Sequence, residues 1–270
     1  MSQSTFFLIL MSGHALGDFY FQSKSMVKRK VNSPKSVFTH VLWYTLVMVV
    51  AISPVIQLRK DSVWLVPVLL VIIYISHAIP DFLKIPISSF NATDPEINLL
   101  SLLMSFFKKY IFFLDQAVHI TSLILISYVF SGCFAPNKIG YALIAWEKSF
   151  LSIIPVRPLV LFVAIMYIIK PTGTAISAFL STGSDTLKKQ DEGFKNAGFI
   201  IGVLERLLIL SLLMANQYGA IGFVFTAKSV ARYAEINNKR LEAEYYLIGT
   251  HLSLVSVGLI MLLMQMYSSV

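Results

Sequence analysis
The chain has almost no means of covalent cross-linking. Cys133 is the one cysteine in 270 residues, which excludes an internal disulfide framework and any cysteine-based metal set. Charge is scarce as well. Asp, Glu, Lys and Arg together make up 13% of the residues, against roughly 25% in an average soluble domain. Acids are the scarcer sign, 14 against 22 basic residues, for a formal net charge of +8. Short alternating strands are missing, which excludes an outer-membrane barrel. No low-complexity tract or flexible interdomain linker interrupts the sequence. The basic excess reads as loops lying beside anionic lipid, and no specific nucleic-acid binding is expected.

What is present in abundance is apolar. Hydrophobic residues reach 56%, and the mean hydropathy is +0.73. They fall in runs of about 15 to 25 residues, long enough to cross a hydrocarbon layer about 30 Å thick. The expected class is all-α, a polytopic membrane helical bundle of about eight transmembrane helices, with six to eight admissible. The expected spans cover 4–22, 37–56, 62–82, 109–131, 157–178, 195–215, 218–235 and 245–267. They group into an N-terminal four-helix half, 1–135, and a C-terminal half, 136–270. The first span lacks a basic leader and a small-residue cleavage site, so it is expected to be retained.

Between the third and fourth spans, "NATDP" reads as a turn, followed by a short amphipathic surface segment through "NLLSLLMSFFKK". "NAT" also fits the glycosylation pattern, although this loop is expected on the cytoplasmic side. A second surface segment is "IGYALIAWEKSF", with Tyr141 and Trp146 suited to an interface. The loop "SKSMVKRKVNSPK" carries basic residues and no acids, so it should face the cytoplasm. Alternation places Lys84, Lys108 and Lys109 on the same side and both termini outside. The expected location is a multi-pass cytoplasmic (inner) membrane.

Against this background "HALGDF" and "HAIPDF" stand out. His14 and Asp18 are spaced i, i+4 on a presumed helix, as are His77 and Asp81. Asp115 and His119 repeat the spacing in reverse order, and His40 opens the second span. Residues four apart share a helix face. On the expected topology all seven lie at one membrane level, in the cytoplasmic half. The echo suggests that spans one–two and three–four are parallel repeats. An ionised aspartate at a helix centre costs about 2.5–3.5 kcal/mol on insertion scales, so three of them need compensation. A divalent metal, zinc foremost, supplies it, with His14, Asp18, His40, His77, Asp81, Asp115 and His119 as candidate ligands. One ion with further carboxylates orienting the histidines, two ions, or a metal-free proton relay all fit the spacing. Gln22 and Lys84 extend the same faces, Lys84 reading mainly as a snorkelling or capping residue.

The C-terminal half holds a second polar set. Glu205 and Arg206 sit mid-span, Lys228 and Arg232 are four apart, and Glu244 lies near the start of the last span. Lys170 precedes Pro171, which should bend the fifth span. Glu205 is expected to pair with Lys228. Lys170, Glu205, Arg206, Lys228, Arg232 and Glu244 are the candidate substrate-binding residues, suited to phosphate or carboxylate. Interhelical ion pairing is the alternative role.

Through "HALGDFYFQS", "SHAIPDFLK" and "FLDQAVH", and later "GVLERLLI", "IGFVFTAKSVARY" and "AEYYLIGT", the sequence resembles an uncharacterised bacterial and phage integral-membrane family, described only as a domain of unknown function. That resemblance implies a membrane location and no settled activity. The His-x-x-x-Asp pairs are more distantly similar to membrane-bound metal-dependent hydrolases, without the serine-bearing motif of the ceramidase-like branch.

The expected function is a membrane-embedded metal-dependent hydrolase acting on a lipid or phosphate-containing substrate, with Asp18, Asp81 or Asp115 as ligand or general base. Two alternatives stand beside it: a proton- or metal-coupled transporter or channel, and a membrane sensor or assembly subunit. The lipid bilayer is the expected partner, and a homo-oligomer is compatible with the sequence.

Overall fold
The computed structural model describes residues 2–30, 33–55, 63–89, 99–134, 137–151, 157–181, 197–236 and 240–268. Among them every regular element is helical. The order is α1 (Gln3–Ala15), a π-helical turn (Leu16–Tyr20), α2 (Lys24–Lys30), α3 (Pro34–Ile52), α4 (Leu65–Ser89), α5 (Leu99–Phe130) and α6 (Lys138–Leu151). Then come α7 (Pro158–Ile169), α8 (Pro171–Ser181), α9 (Ala197–Met214), α10 (Tyr218–Ile236) and α11 (Arg240–Ser268). The chain divides into two compact units, Met1–Leu159 and Val160–Val270.

Five helical stretches among the described residues are long and apolar enough to cross a membrane: Pro34–Ile52, Leu65–Ser89, Ser101–Cys133, Pro158–Ser181 and Ala243–Tyr267. That is consistent with a membrane protein, and the expected count of about eight spans is not confirmed. The other three expected spans also form helix, but differently. The first changes pitch at Leu16, and α9 and α10 carry charge mid-length. The amphipathic surface segment expected after "NATDP" is not a separate element. Residues 99–110 run without a break into α5, because nothing in that stretch stops a helix: it has no proline and no glycine. The "NAT" triplet itself lies outside the described residues. The second expected surface segment does form a helix, α6, on which Tyr141 and Trp146 are exposed. Asn137 starts it: its Oδ1 accepts from the Ile139 and Gly140 amides at 3.0 Å, and its Nδ2 donates to the Ser53 carbonyl at 2.8 Å.

In the first unit α1 packs on α3 and α5, and α4 packs on α3 and α5, closing a four-helix ring. Its polarity is inverted relative to a soluble bundle. Leu42, Trp43, Leu46 and Val50 of α3 and Val71, Ile75, Ile79 and Leu83 of α4 face outward, while histidines and aspartates are buried within. Lipid tolerates the first arrangement and water does not. One end of the ring is a dry plug of Phe6, Ile9, Leu10, Met48, Ile52, Leu69, Ile73, Leu123, Ile126, Phe130 and Phe134. The other end, beside α2, holds the polar residues.

Glycines let α1 and α3 approach. A Cβ on Gly13 would fall 2.6 Å from Met48 Sδ, and one on Gly17 would fall 2.7 Å from Cδ2 of the buried Tyr44 ring. Van der Waals packing of this kind replaces the hydrophobic effect between membrane helices. In the second unit α9 packs on α8, α10 and α11, and α11 also meets α8 and α10. There the helix breaks at Lys170, where Pro171 cannot donate a backbone hydrogen bond.

The Tyr44 ring has no room to move, so Gly17→Ala should cost about 1–3 kcal/mol and lower the melting midpoint in detergent. Gly258→Ala, where a new Cβ meets nothing within 4 Å, should leave the midpoint unchanged or raise it. Scanning fluorimetry of the two variants side by side checks this, and equal midpoints would contradict it.

Candidate metal centre
The site begins with a change of helix type in one motif and a proline within a continuous helix in the other. In "HALGDF" the chain passes from α into a π turn, closed by the Phe21 amide donating to the Leu16 carbonyl at 2.8 Å. A single π turn shifts the register of the residues after it, and such turns recur at functional sites. In "HAIPDF" Pro80 sits inside α4 beside Asp81 and removes one backbone donor. Each aspartate therefore follows a residue that loosens its helix, glycine in one motif and proline in the other.

The seven expected residues all lie in the first unit, and six of them are fully buried; Asp18 is the partly covered one. Four donor atoms from the π turn, α3 and α4 face one another. Asp18 Oδ1 lies 3.0 Å from His40 Nε2 and 3.3 Å from His77 Nε2, and the two imidazole nitrogens are 3.1 Å apart. Asp81 Oδ2 completes the group at 3.6 Å from His40 and 3.7 Å from His77. Ligands about 2.0–2.1 Å from a tetrahedral zinc lie about 3.3 Å from each other, so the separations among Asp18, His40 and His77 match one coordination sphere.

The hydrogen-bond bookkeeping points the same way. Gln22 orients His40: the amide oxygen accepts from His40 Nδ1 at 3.2 Å and from Lys30 Nζ at 3.1 Å, and the amide nitrogen donates to the Asp18 carbonyl at 2.9 Å. With its proton on Nδ1, His40 presents a bare Nε2 lone pair to the Asp18 carboxylate. A proton on His77 Nε2 serves only one of those two acceptors. His77 Nδ1 is itself buried without a hydrogen-bond partner among the described residues. A cation at the meeting point resolves the conflict, and the donor set of two imidazoles and two carboxylates suits a divalent metal. Tyr44 holds the His77 ring from one side, stacked at 3.5 Å and 7°, and His119 stacks on the other at 4.2 Å.

The remaining expected ligands surround this group. Three sets of donors lie within 4.8 Å of one another: His14, Asp18 and His77; His40, His77 and Asp81; Asp81, Asp115 and His119. His14 spends its ring on neighbours, with Nε2 3.3 Å from Gln116 Oε1 and Nδ1 3.3 Å from the Tyr44 hydroxyl. Asp115 Oδ1 and His119 Nε2 face each other 3.1 Å apart.

Lys84 is not the snorkelling residue that the sequence suggested. Its Nζ turns inward, 2.8 Å from Asp81 Oδ1 and 2.7 Å from Asp115 Oδ2, because two buried carboxylates outweigh the pull of the interface. Lys30, read only as a loop charge, reaches Asp81 Oδ2 at 2.6 Å. The sequence reading also missed Tyr44 and Gln116. Tyr44 had a signal, four residues after His40 and so on the same helix face; Lys30 had none, because its role depends on how α2 folds back.

The second polar set belongs to the other unit. Lys228 Nζ pairs with Glu205 Oε2, as expected, and lies 5.4 Å over the Tyr246 ring. Arg206 is buried and turns elsewhere: Nε donates to the Ile168 carbonyl at 3.0 Å, at the helix break, and Nη1 to Ser253 Oγ at 3.4 Å. Lys170 is partly buried beside that break, and Glu244 is exposed. The Arg232 side chain lies outside what the structure describes. Because Glu205 is half-covered, Lys228→Met should lower the melting midpoint more than the double change Glu205→Gln/Lys228→Met, which leaves no unpaired charge. Thermal melting of the two variants tests this, and a double variant that melts below the single one would refute it.

Comparison with known proteins adds a family but no activity. No curated protein and no solved structure matches the chain. One family model, "Protein of unknown function (DUF3307)", matches residues 6–141, which contain all seven histidines and aspartates of the centre. The chain therefore belongs to the DUF3307 family.

Proposed function
We propose that the protein is a membrane-embedded hydrolase of the inner membrane whose one divalent ion, zinc, is held by Asp18, His40, His77 and Asp81. The observation that carries this reading is the meeting of Asp18 Oδ1, His40 Nε2 and His77 Nε2 within 3.3 Å of one another in a buried position. When bound, such an ion supplies Lewis acidity toward a phosphoryl or carbonyl oxygen and acidifies water. The chain does the rest. Gln22 fixes the His40 tautomer, and Tyr44 and His119 clamp the His77 ring. Asp115 and His119 hold a proton at His119 Nε2, beside the ligand group, where it can be passed to a leaving group.

Charge favours an anionic substrate. Asp81 and Asp115 face Lys30 and Lys84, and Asp18 faces the histidines, so the three carboxylates and two ammoniums leave a balance of one negative charge. A dication turns that to one positive charge in a low-dielectric interior, which attracts a single phosphate. A lipid or other phosphate-bearing molecule fits this, approaching from the α2 end, where Lys84 keeps 26% and Lys30 11% of its side-chain surface exposed. The dry plug at the opposite end supports a site open on one side, which weighs against the transport alternative. The basic residues of α2 support an open side at the cytoplasm, with both termini outside.

Metal analysis of the purified protein tests the reading. One zinc per chain is expected, with at least a tenfold loss of affinity in His40→Ala and in Asp18→Asn. Gln22→Ala should weaken binding about 10–100-fold by freeing the His40 ring. Zinc content near zero, unchanged by these substitutions, would sink the proposal, and so would hydrolysis of phosphate-bearing lipids that survives His40→Ala.

A further inference from the structure
Asp81 offers its two carboxylate oxygens to two different positions. Oδ2 faces His40 and His77 at 3.6 and 3.7 Å and carries Lys30 Nζ at 2.6 Å, while Oδ1 lies 2.8 Å from Lys84 Nζ. On the far side of that ammonium, Asp115 Oδ2 is 2.7 Å away. Asp115 Oδ1 and His119 Nε2 complete a second buried donor set with Asp81, all within 4.8 Å. Those two atoms lie 3.1 Å apart, and both residues are buried. A carboxylate shared between two donor sets is the usual bridge of a two-metal site, where ions sit about 3.5–4 Å apart.

We infer that the Lys84 ammonium stands in the second cation position of this carboxylate-bridged arrangement, so that the centre takes one metal ion where its donors would suit two. The inference rests on the proposed first ion at Asp18, His40, His77 and Asp81. The Lys84 ammonium has three donors and no acceptor and lies between Asp81 Oδ1 and Asp115 Oδ2, where a second ion would sit, whereas Lys30 touches Asp81 Oδ2 at the edge of the first donor group. Charge makes the two occupants exclusive. With Lys30 and Lys84 both in place, one dication leaves the cluster at one positive charge, and a second would raise it to three in a low-dielectric interior. The lysine is also what separates the two motifs. Three residues after Asp81 comes Lys84, whereas three residues after Asp18 comes the exposed Phe21.

The test is zinc binding to the full chain in detergent, counted by mass spectrometry after removal of free metal. Wild type should stop at one tightly held zinc even in excess. Lys84→Met and Lys84→Gln should each hold two, and Lys84→Met/Asp115→Asn should return to one. Loaded with Mn²⁺, wild type should give the paramagnetic spectrum of an isolated ion and Lys84→Met that of a coupled pair. Two tight zinc ions in wild type would overturn the inference without any variant having to fold. One zinc in wild type and still one in folded Lys84→Met would overturn it while leaving the single-ion centre intact. No zinc in wild type would overturn both.

Discussion
Inside a bundle whose outer surface is apolar, Asp18 Oδ1, His40 Nε2 and His77 Nε2 meet at 3.0 to 3.3 Å. Each comes from a different helical element, and two of the three are acceptors facing one another. In hydrocarbon an uncompensated carboxylate is expensive. The arrangement could hold a cation, and much else in the first unit is built around it. Gln22 aims the His40 lone pair, Tyr44 and His119 hold the His77 plane, and Lys30 and Lys84 neutralise Asp81.

The same constraint explains the backbone. A regular α-helix through "HALGDF" would set Asp18 one helical step from His14 and pair the two. The π turn at Leu16–Tyr20 moves Asp18 off that line: its Oδ2 stays 3.8 Å from His14 Nδ1, while its Oδ1 reaches His40 on the next helix. Gly17 permits both the turn and the close approach of Tyr44. Pro80 does comparable work in α4. The apolar plug on the other side of the ring then closes that end of the bundle.

The second unit follows a related logic with a different outcome. Its buried charge, Arg206, is spent on a carbonyl at the break before Pro171 and on Ser253, and its ion pair joins Glu205 to Lys228 across two helices. Here polar groups hold a broken helix in place instead of converging on one point. The family match ends at residue 141, within the first unit, so the part of the chain that carries the centre is also the part that the family shares.

The sequence by itself determined the class and the cast. Hydrophobic runs and scarce charge made the chain helical and membrane-bound, and a spacing of four residues put each histidine beside its aspartate, because helix periodicity is a local property. Glu205 with Lys228 was legible for a similar reason: an unpaired charge in an apolar span needs a partner, and few were available. The tertiary structure decided what the cast does. Which nitrogen of His40 is free depends on Gln22, eighteen residues away. Whether Lys84 reaches the interface or turns inward depends on Asp115, on another helix. Lys30 and Tyr44 enter the centre only because α2 and α3 fold against α4 and the π turn. Distances of about 3 Å between atoms on separate helices are set by packing, and helix periodicity carries no information about them.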